Sequence, residues 1–385
     1  MGFNDEVFSD VLVVSAYPPD RGRLSEYAKM LFTSFARRNK SIRLIVLADH
    51  QSTLNVGRIN VVGCWKPDRP YTFPRILSEI FRRKPNVVVF NVSFAVFGKS
   101  RLTNFIGFMI IFLTNIFKKI FKYRTVIILH NLPEFTNIEA FKLKYSLPNR
   151  IGFLVAEKIA MLNDLVLTTL KLYSRAISKR FKRKVFYLPH GTWEANSDRN
   201  HVRDSITFIG FISPTKDLKS LIEAYKIVKK KYKWLKLHII GSNHPNYPEM
   251  ASLLKELKRE DDDIHVHGYV SDHEIFQILS KTIAVILPYR TATGSSGVLH
   301  LASSAGVPVI GTDLPELREL MNDGAGVLLT ELNAEKIANN IISLIENKHV
   351  WNMLSKRMLE FSAKRRWPIV AEELYRIFKE HHIIS

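Results

Sequence analysis

Cysteine is nearly absent from this chain of 385 residues: Cys64 stands alone. An internal disulfide is therefore excluded, and a reducing compartment is expected. Low-complexity tracts are missing, and apolar residues make up 46%, which excludes a disordered chain. Met1 to Asp10 is polar and acidic with no basic start, so no secretory leader is expected. Acidic residues are scarce in the first half. Residues 1–190 hold 31 Lys and Arg against 12 Asp and Glu, a surplus of 19, whereas residues 191–385 hold 25 against 24. Such an asymmetry points to an anionic partner for the first half, either phosphate-rich lipid or nucleic acid. Nucleic acid is disfavoured. KRFKRK (Lys179–Lys184) is the single dense basic run, and no binding module or basic helix with stacking aromatics accompanies it.

The residues that are present alternate between two periodicities. VLVVSAY is an apolar strand of the buried parallel kind, followed by a helical stretch from about Ser25 to Arg38 and the strand RLIVLAD. INVVGCW, NVVVFNVSF, TVIILHN, DLVLTTL and VFYLPH continue the series. The pattern restarts with SITFIGFI, a helix over Leu218–Lys231, LKLHIIGS, IHVHGYV, TIAVILPY, VPVIGTD and AGVLLT. This alternation predicts an α/β protein with two Rossmann-like, doubly wound parallel sheets. The polar, turn-rich HGTWEANSDRNHVRDS marks a junction. The expected domains are 1–190, 191–365 and a closing amphipathic helix within 366–385.

The segment TATGSSGVLHLASSAGVPVIGTD (Thr291–Asp313) lies between two strands. Val298, Leu301, Ala302 and Ala305 recur at helical spacing, so Ser295, Ser296 and Gly297 fall at a helix N-terminus. Free amides and the positive dipole end favour an anion there, and Gly294 and Gly297 permit close backbone approach. Open parallel sheets bind ligands at this edge.

A second segment, NFIGFMIIFLTNIFKKIFKYR (Asn104–Arg124), reads as a helix. Its apolar zone falls short of the ~20 residues that span a bilayer. Gly107, Thr114, Asn115, Lys118, Lys119 and Lys122 gather on one side, and the rest is apolar. One face would cover a sheet, so apolar surface is left over, the pattern of an interfacial helix on anionic lipid. Residues 104–124 are thus the expected contact with an anionic membrane surface.

Seven stretches in order give a resemblance: YPPDRGRLSEYAKML, VIILHN, VFYLPHG, FIGFISPTKDLKSLIEAY, LKLHIIGS, PYRTATGSSGVLHLASSAGVPVIGTD and RRWPIVAEELYRIF. Over nearly its whole length the chain resembles the family-4 retaining glycosyltransferases of the GT-B fold. The resemblance implies transfer of a hexose-like sugar from a nucleotide-sugar donor, with retention of configuration and no protein nucleophile, metal or other cofactor. It also implies a closing helix that crosses back to the first domain. Lys216 and the Ser295–Val298 amides would stabilise the departing diphosphate, with Val298 and the retained Gly210 on the donor side. Gly22 would let the backbone approach the donor phosphate. His130, at the carboxyl end of TVIIL, would either hydrogen-bond a sugar hydroxyl or cap a loop. Arg290 and Glu319 are further donor-side candidates.

The departures from the pattern are specific. Many members carry two glutamates eight positions apart; here those positions are Thr293 and Leu301. A subset reads Ser-Gly-Val there, as Ser296, Gly297 and Val298 do. Phe211 replaces an Arg, Asp217 a Gly, and Arg23 a second Gly, where it would either supply a replacement positive charge or crowd the site. A sugar-nucleotide epimerase of the same fold would need carboxylates that this loop lacks. The rival reading is a degenerate, non-catalytic sugar-nucleotide binder. With the basic first half, the sequence points to a cytoplasmic enzyme, peripheral on the inner membrane face, with a lipid-linked or glycan acceptor.

Overall fold

The structure, a computed structural model, describes residues 9–19, 22–50, 52–69, 71–141, 146–194, 201–244, 247, 249, 261–292 and 294–384. The chain divides into two compact units. The first comprises Met1–Glu134, Tyr145–Gly191 and Trp367–Ser385; the second comprises Phe135–Lys144 and Thr192–Arg366. A single cut by sequence position misses one feature: Phe135–Lys144 groups with the second unit, where the Asn137 amide donates to Thr291 Oγ1 at 2.9 Å.

In the first unit the strands are β1 (Ser9–Ser15), β2 (Ile42–Ala48), β3 (Leu54–Val56), β4 (Ile59–Gly63), β5 (Val87–Val92), β6 (Arg124–Leu129), β7 (Leu165–Thr168) and β8 (Phe186–Tyr187). The sheet order is β3-β4-β2-β1-β5-β6-β7-β8, parallel except for β3 against β4. The short strand β3 is three residues long and largely exposed, too short for a period-two pattern to stand out in the sequence. The helices are α1 (Arg23–Arg38), α2 (Thr72–Arg83), α3 (Arg101–Phe121), α4 (Leu147–Ala160) and α5 (Lys171–Phe181). Central strands such as VVVFNV are buried on both faces, as helices on both sides of a parallel sheet require.

The second unit holds β9 (Ser205–Ile209), β10 (Lys236–Ile240), β11 (Ile264–Gly268), β12 (Thr282–Leu287), β13 (Val309–Thr312) and β14 (Val327–Thr330). Its helices are α6 (Leu218–Lys231), α7 (Asp272–Ser280), α8 (Gly297–Ala305), α9 (Pro315–Asn322), α10 (Ala334–Glu346) and α11 (Lys348–Ala363). The order β11-β10-β9-β12-β13-β14 is parallel throughout. It reverses direction between β9 and β12, the switch point at which open sheets hold ligands. The last helix, α12 (Trp367–Glu380), belongs to the first unit and buries Val370, Leu374, Ile377 and Phe378. Against α1 it sets Phe378 beside Phe35, and Trp367 edge-on to Tyr27.

Two sequence expectations change. The helix expected over Asn104–Arg124 is α3, starting earlier, where the Ser100 side chain accepts from the Thr103 amide, and ending at the left-handed Lys122. At 21 residues it is long and apolar enough, by length and composition, to cross a membrane. Helix α8, expected to bury one face, is buried at every residue from Val298 to Ala305. Apolar and small side chains all round a helix suit that position.

Candidate functional site

Lys216, Gly210, Arg290 and the Gly294–Val298 segment converge at the switch point of the second sheet. Gly210 follows β9 with φ +138, and Gly241 follows β10 with φ +142. Both conformations favour glycine. The two backbone segments also touch: a Cβ on Gly241 would lie 2.0 Å from the Gly210 carbonyl oxygen. The Gly210 amide donates to Ile240 O at 2.9 Å. Gly241, which sequence reasoning left aside, is thus the partner that makes the turn after β9 possible.

The loop after β9 is zipped to the loop after β12. The Asp217 amide donates to Pro288 O at 2.7 Å, and the Arg290 amide donates to Thr215 O at 2.9 Å. This pairing fixes Lys216 against Tyr289, whose ring centre lies 3.0 Å from Nζ. An ammonium over an aromatic face is a favourable contact. No carboxylate pairs with Lys216 among the described residues; Asp217 pairs instead with Arg290, at 2.7 Å. Burial without a counter-charge pushes the Lys216 amine down to about 7. A dianionic ligand would supply the missing charge.

Asp217, where the resemblance expects a Gly, has two structural tasks. Its side chain caps α6 by accepting from the Ser220 amide, and it neutralises Arg290. Arg290, a donor candidate by sequence, is therefore already engaged. The pair leaves Lys216 as the uncompensated charge of this loop.

Gly294 has φ +125 and Ser295 is buried. Thr293 lies outside the described residues. Ser296, in the left-handed region at φ 46, occupies the N-cap of α8 without a side-chain capping bond. Its buried Oγ has no hydrogen-bond partner. The first amides of α8, beginning with Gly297 and Val298, have no partner within the helix, as at any helix start. An unpaired hydroxyl, free amides and the positive dipole end together suit an anion. His300, missed in the sequence, braces this turn: its Nδ1 donates to Ser296 O at 3.1 Å from a fully buried ring. Leu301, where the resemblance expects a glutamate, is buried. On α9, Glu316 in the first turn is the buried carboxylate, whereas Glu319, one turn further along, is half-buried.

Phe211, where the resemblance expects an Arg, makes an edge contact with His244, which neighbours Tyr247. Among the described residues, no group of three or more His, Cys, Asp or Glu could hold a metal ion. His238 and His267 hydrogen-bond to each other at 2.9 Å on β10 and β11, at the far edge of the sheet.

The first unit has its own switch point, between β1 and β5. Gly22 caps α1 there with extended backbone, and a Cβ on it would meet nothing within 4 Å. Arg23 begins α1, and its side chain lies outside the described portion. His130 follows β6. Its Nε2 lies 2.7 Å from Asn91 Oδ1, and Asn91 Nδ2 donates to Ser15 Oγ at 2.9 Å. Ser15 Oγ donates in turn to Ala16 O, so it must accept from the amide. That fixes the Asn91 orientation and assigns the imidazole proton to Nε2. Nδ1 is then a hydrogen-bond acceptor. Burial, and secondarily the nearby His190, push His130 down to about 3, so the ring stays neutral. Tyr27 packs edge-on against it at 4.4 Å.

Residues 203–347 match the family profile described as Glycosyl transferases group 1. No curated protein sequence matches the chain significantly. The fold is shared with solved structures at low sequence identity. A sucrose-phosphate synthase from Thermosynechococcus elongatus superposes with a TM-score of 0.74 at 14% identity, over 98% of this chain and 100% of that one. HepE from Anabaena in complex with UDP-glucose gives 0.70 at 14%, over 96% and 99%. A protein from Listeria monocytogenes described as a putative UDP-N-acetylglucosamine 2-epimerase gives 0.62 at 13%, over 97% of each chain. The molecule therefore has the GT-B fold, and the stretch that matches the group 1 profile lies within its second unit.

Proposed function

We propose that this protein is a glycosyltransferase that moves a sugar from a nucleotide-sugar donor to a lipid-linked acceptor, with retention of configuration. The observation that carries the reading is Lys216, an amine with no carboxylate partner among the described residues, in a loop zipped to the segment that leads into the open N-terminus of α8. Transfer breaks the bond between the sugar and the diphosphate oxygen, and negative charge develops on that oxygen. Fixed positive groups that await this charge lower the barrier. Lys216, the Gly297 and Val298 amides and the Ser296 hydroxyl are such groups. The chemistry needs no metal or other cofactor, since these groups supply the positive potential.

The group 1 match and the UDP-glucose complex of HepE support the donor class. An epimerase shares the fold, but its proton transfers need acid–base groups, and Leu301 offers none. The neutral His130, with Nδ1 as acceptor, suits a sugar or acceptor hydroxyl. The scarcity of acidic residues in the first unit supports a cytoplasmic enzyme working at an anionic membrane face.

The test is release of nucleoside diphosphate from a panel of nucleotide sugars, with and without membrane lipid extract. Release from one donor that rises with lipid and falls at least about a hundredfold in Lys216→Ala is expected. Nucleotide binding without release from any donor would mark a non-catalytic binder.

A further inference from the structure

Helix α3 is packed with its polar side inward and an apolar side outward. Gly107, Thr114 and Asn115, expected from sequence to share a side with the lysines, are buried. Gly107 leaves room for the Phe97 ring, to which a Cβ would come within 2.1 Å. Asn115 accepts from Thr125 Oγ1 at 2.8 Å and donates to Asn163 at 3.3 Å. Tyr123 donates to Thr114 O at 2.7 Å. Lys118 turns to Asp164 and to Leu162 O, each at 2.9 Å. Lys118 thus serves the interior and is unavailable to a surface partner.

The opposite side of α3 meets solvent. Leu102, Phe105, Ile106, Ile116 and Ile120 are exposed, Leu102 at 65% and Ile120 at 70%. They recur at three- and four-residue steps with only Met109 and Leu113 between them on that face. The adjacent α4 repeats the arrangement with Leu147, Ile151 and Leu154, and Leu162 follows it. Water meets apolar side chains along two neighbouring helices, an arrangement that marks an interaction surface. The charge around it has one sign. Residues 80–133 contain nine Lys and Arg and no Asp or Glu. Arg101 at the start of α3, Lys119, Lys122 and Arg124 at its end, and Arg150 and Lys158 on α4 are all exposed.

We propose that α3 and α4 together form a docking face that seats the first unit on an anionic lipid bilayer. Apolar side chains enter the acyl boundary while the basic residues at the helix ends meet headgroups. The helix lies in the interface and does not cross it, because its polar side is bonded to β6 and to the segment after α4. Opposite charge selects the occupant: an apolar patch alone would serve a second copy, but two copies would bring these cations together. This face stands on exposure and charge and does not depend on the transferase reading.

The test is co-sedimentation of the full chain with phosphatidylcholine vesicles, with and without phosphatidylglycerol, at low and high salt. Binding is expected to need the anionic lipid and to weaken with salt. Ile116→Glu/Ile120→Glu and Ile151→Glu/Leu154→Glu should each weaken it at least about tenfold, and Lys119→Glu/Lys122→Glu similarly. Ile120→Trp should shift its emission to the blue on vesicles and be quenched by brominated acyl chains. These positions are exposed, so thermal unfolding should move little and a folding failure would be visible separately. The proposal is overturned by absent vesicle binding, by binding indifferent to the apolar pairs, or by a dimer that Ile116→Glu/Ile120→Glu dissociates. Vesicle binding without diphosphate release would keep this face and remove the transferase reading.

Discussion

Lys216 and Asp217 are sequence neighbours with opposite electrostatic fates. Asp217 is doubly satisfied, by Arg290 and by the start of α6. Lys216 holds a desolvated charge above Tyr289. Its folded value, about 7, lies below that of an unfolded lysine, so the unfolded chain binds more protons between the two. Stability should therefore rise with pH across that window, and the cost of the buried charge is complete below about 7. Lys216→Met should raise the melting temperature most below neutral pH, and the gain should shrink towards about pH 9, as read by thermal denaturation. A diphosphate ligand favours the protonated amine. Its affinity should fall by up to about tenfold per pH unit above neutrality, and Lys216→Met should abolish that slope in calorimetric titration. A slope that survives the substitution would assign the proton elsewhere.

Two glycines make a further residue-scale contrast. Gly241→Ala would place a methyl against the Gly210 carbonyl at positive φ. It should cost about 3 kcal/mol or more in denaturant unfolding of the second unit. Gly22→Ala meets no neighbour and keeps extended backbone. Stability should hold within about 1 kcal/mol, and a loss of turnover would then report close backbone approach to a ligand. Unchanged turnover would make Gly22 an ordinary turn residue.

At the scale of elements, legibility followed periodicity. Buried parallel strands such as VLVVS and TVIIL declare themselves as short apolar runs, and α6 was readable over Leu218–Lys231 because the apolar spacing and the lysine-rich end agree. Helix α8 was legible as a helix and misread in its burial. Its Ser and Ala residues look like a polar face, but they are small enough to pack beneath α11, where Gly306 meets Leu359. The apolar excess of α3 was visible, but which side would turn outward was not. That choice depends on Asn163, Asp164 and Thr125, which hydrogen-bond the polar side from distant positions in sequence.

For the whole molecule, the closing helix tests how the chain is partitioned. α12 buries its apolar stripe within the first unit, against α1, and Arg38 pairs with Glu372. Truncation after Arg366 should expose Phe35 and Tyr27 and destabilise that unit by several kcal/mol. Chemical denaturation should show a weakened first-unit transition with the second retained; a uniform loss would contradict the division.

By itself the sequence determined the two doubly wound sheets, the late Gly- and Ser-rich loop opening a helix, and the basic first half, because periodicity, turn chemistry and charge are local properties. Only the tertiary structure decided that Asp217 would take Arg290 and leave Lys216 without a carboxylate. It also decided that Gly241 would press on Gly210, and that Ser15 and Asn91 would fix the proton of His130 on Nε2. Each of these joins residues tens of positions apart through adjacent strand ends, and the strand order that makes those ends adjacent is a property of the folded sheet.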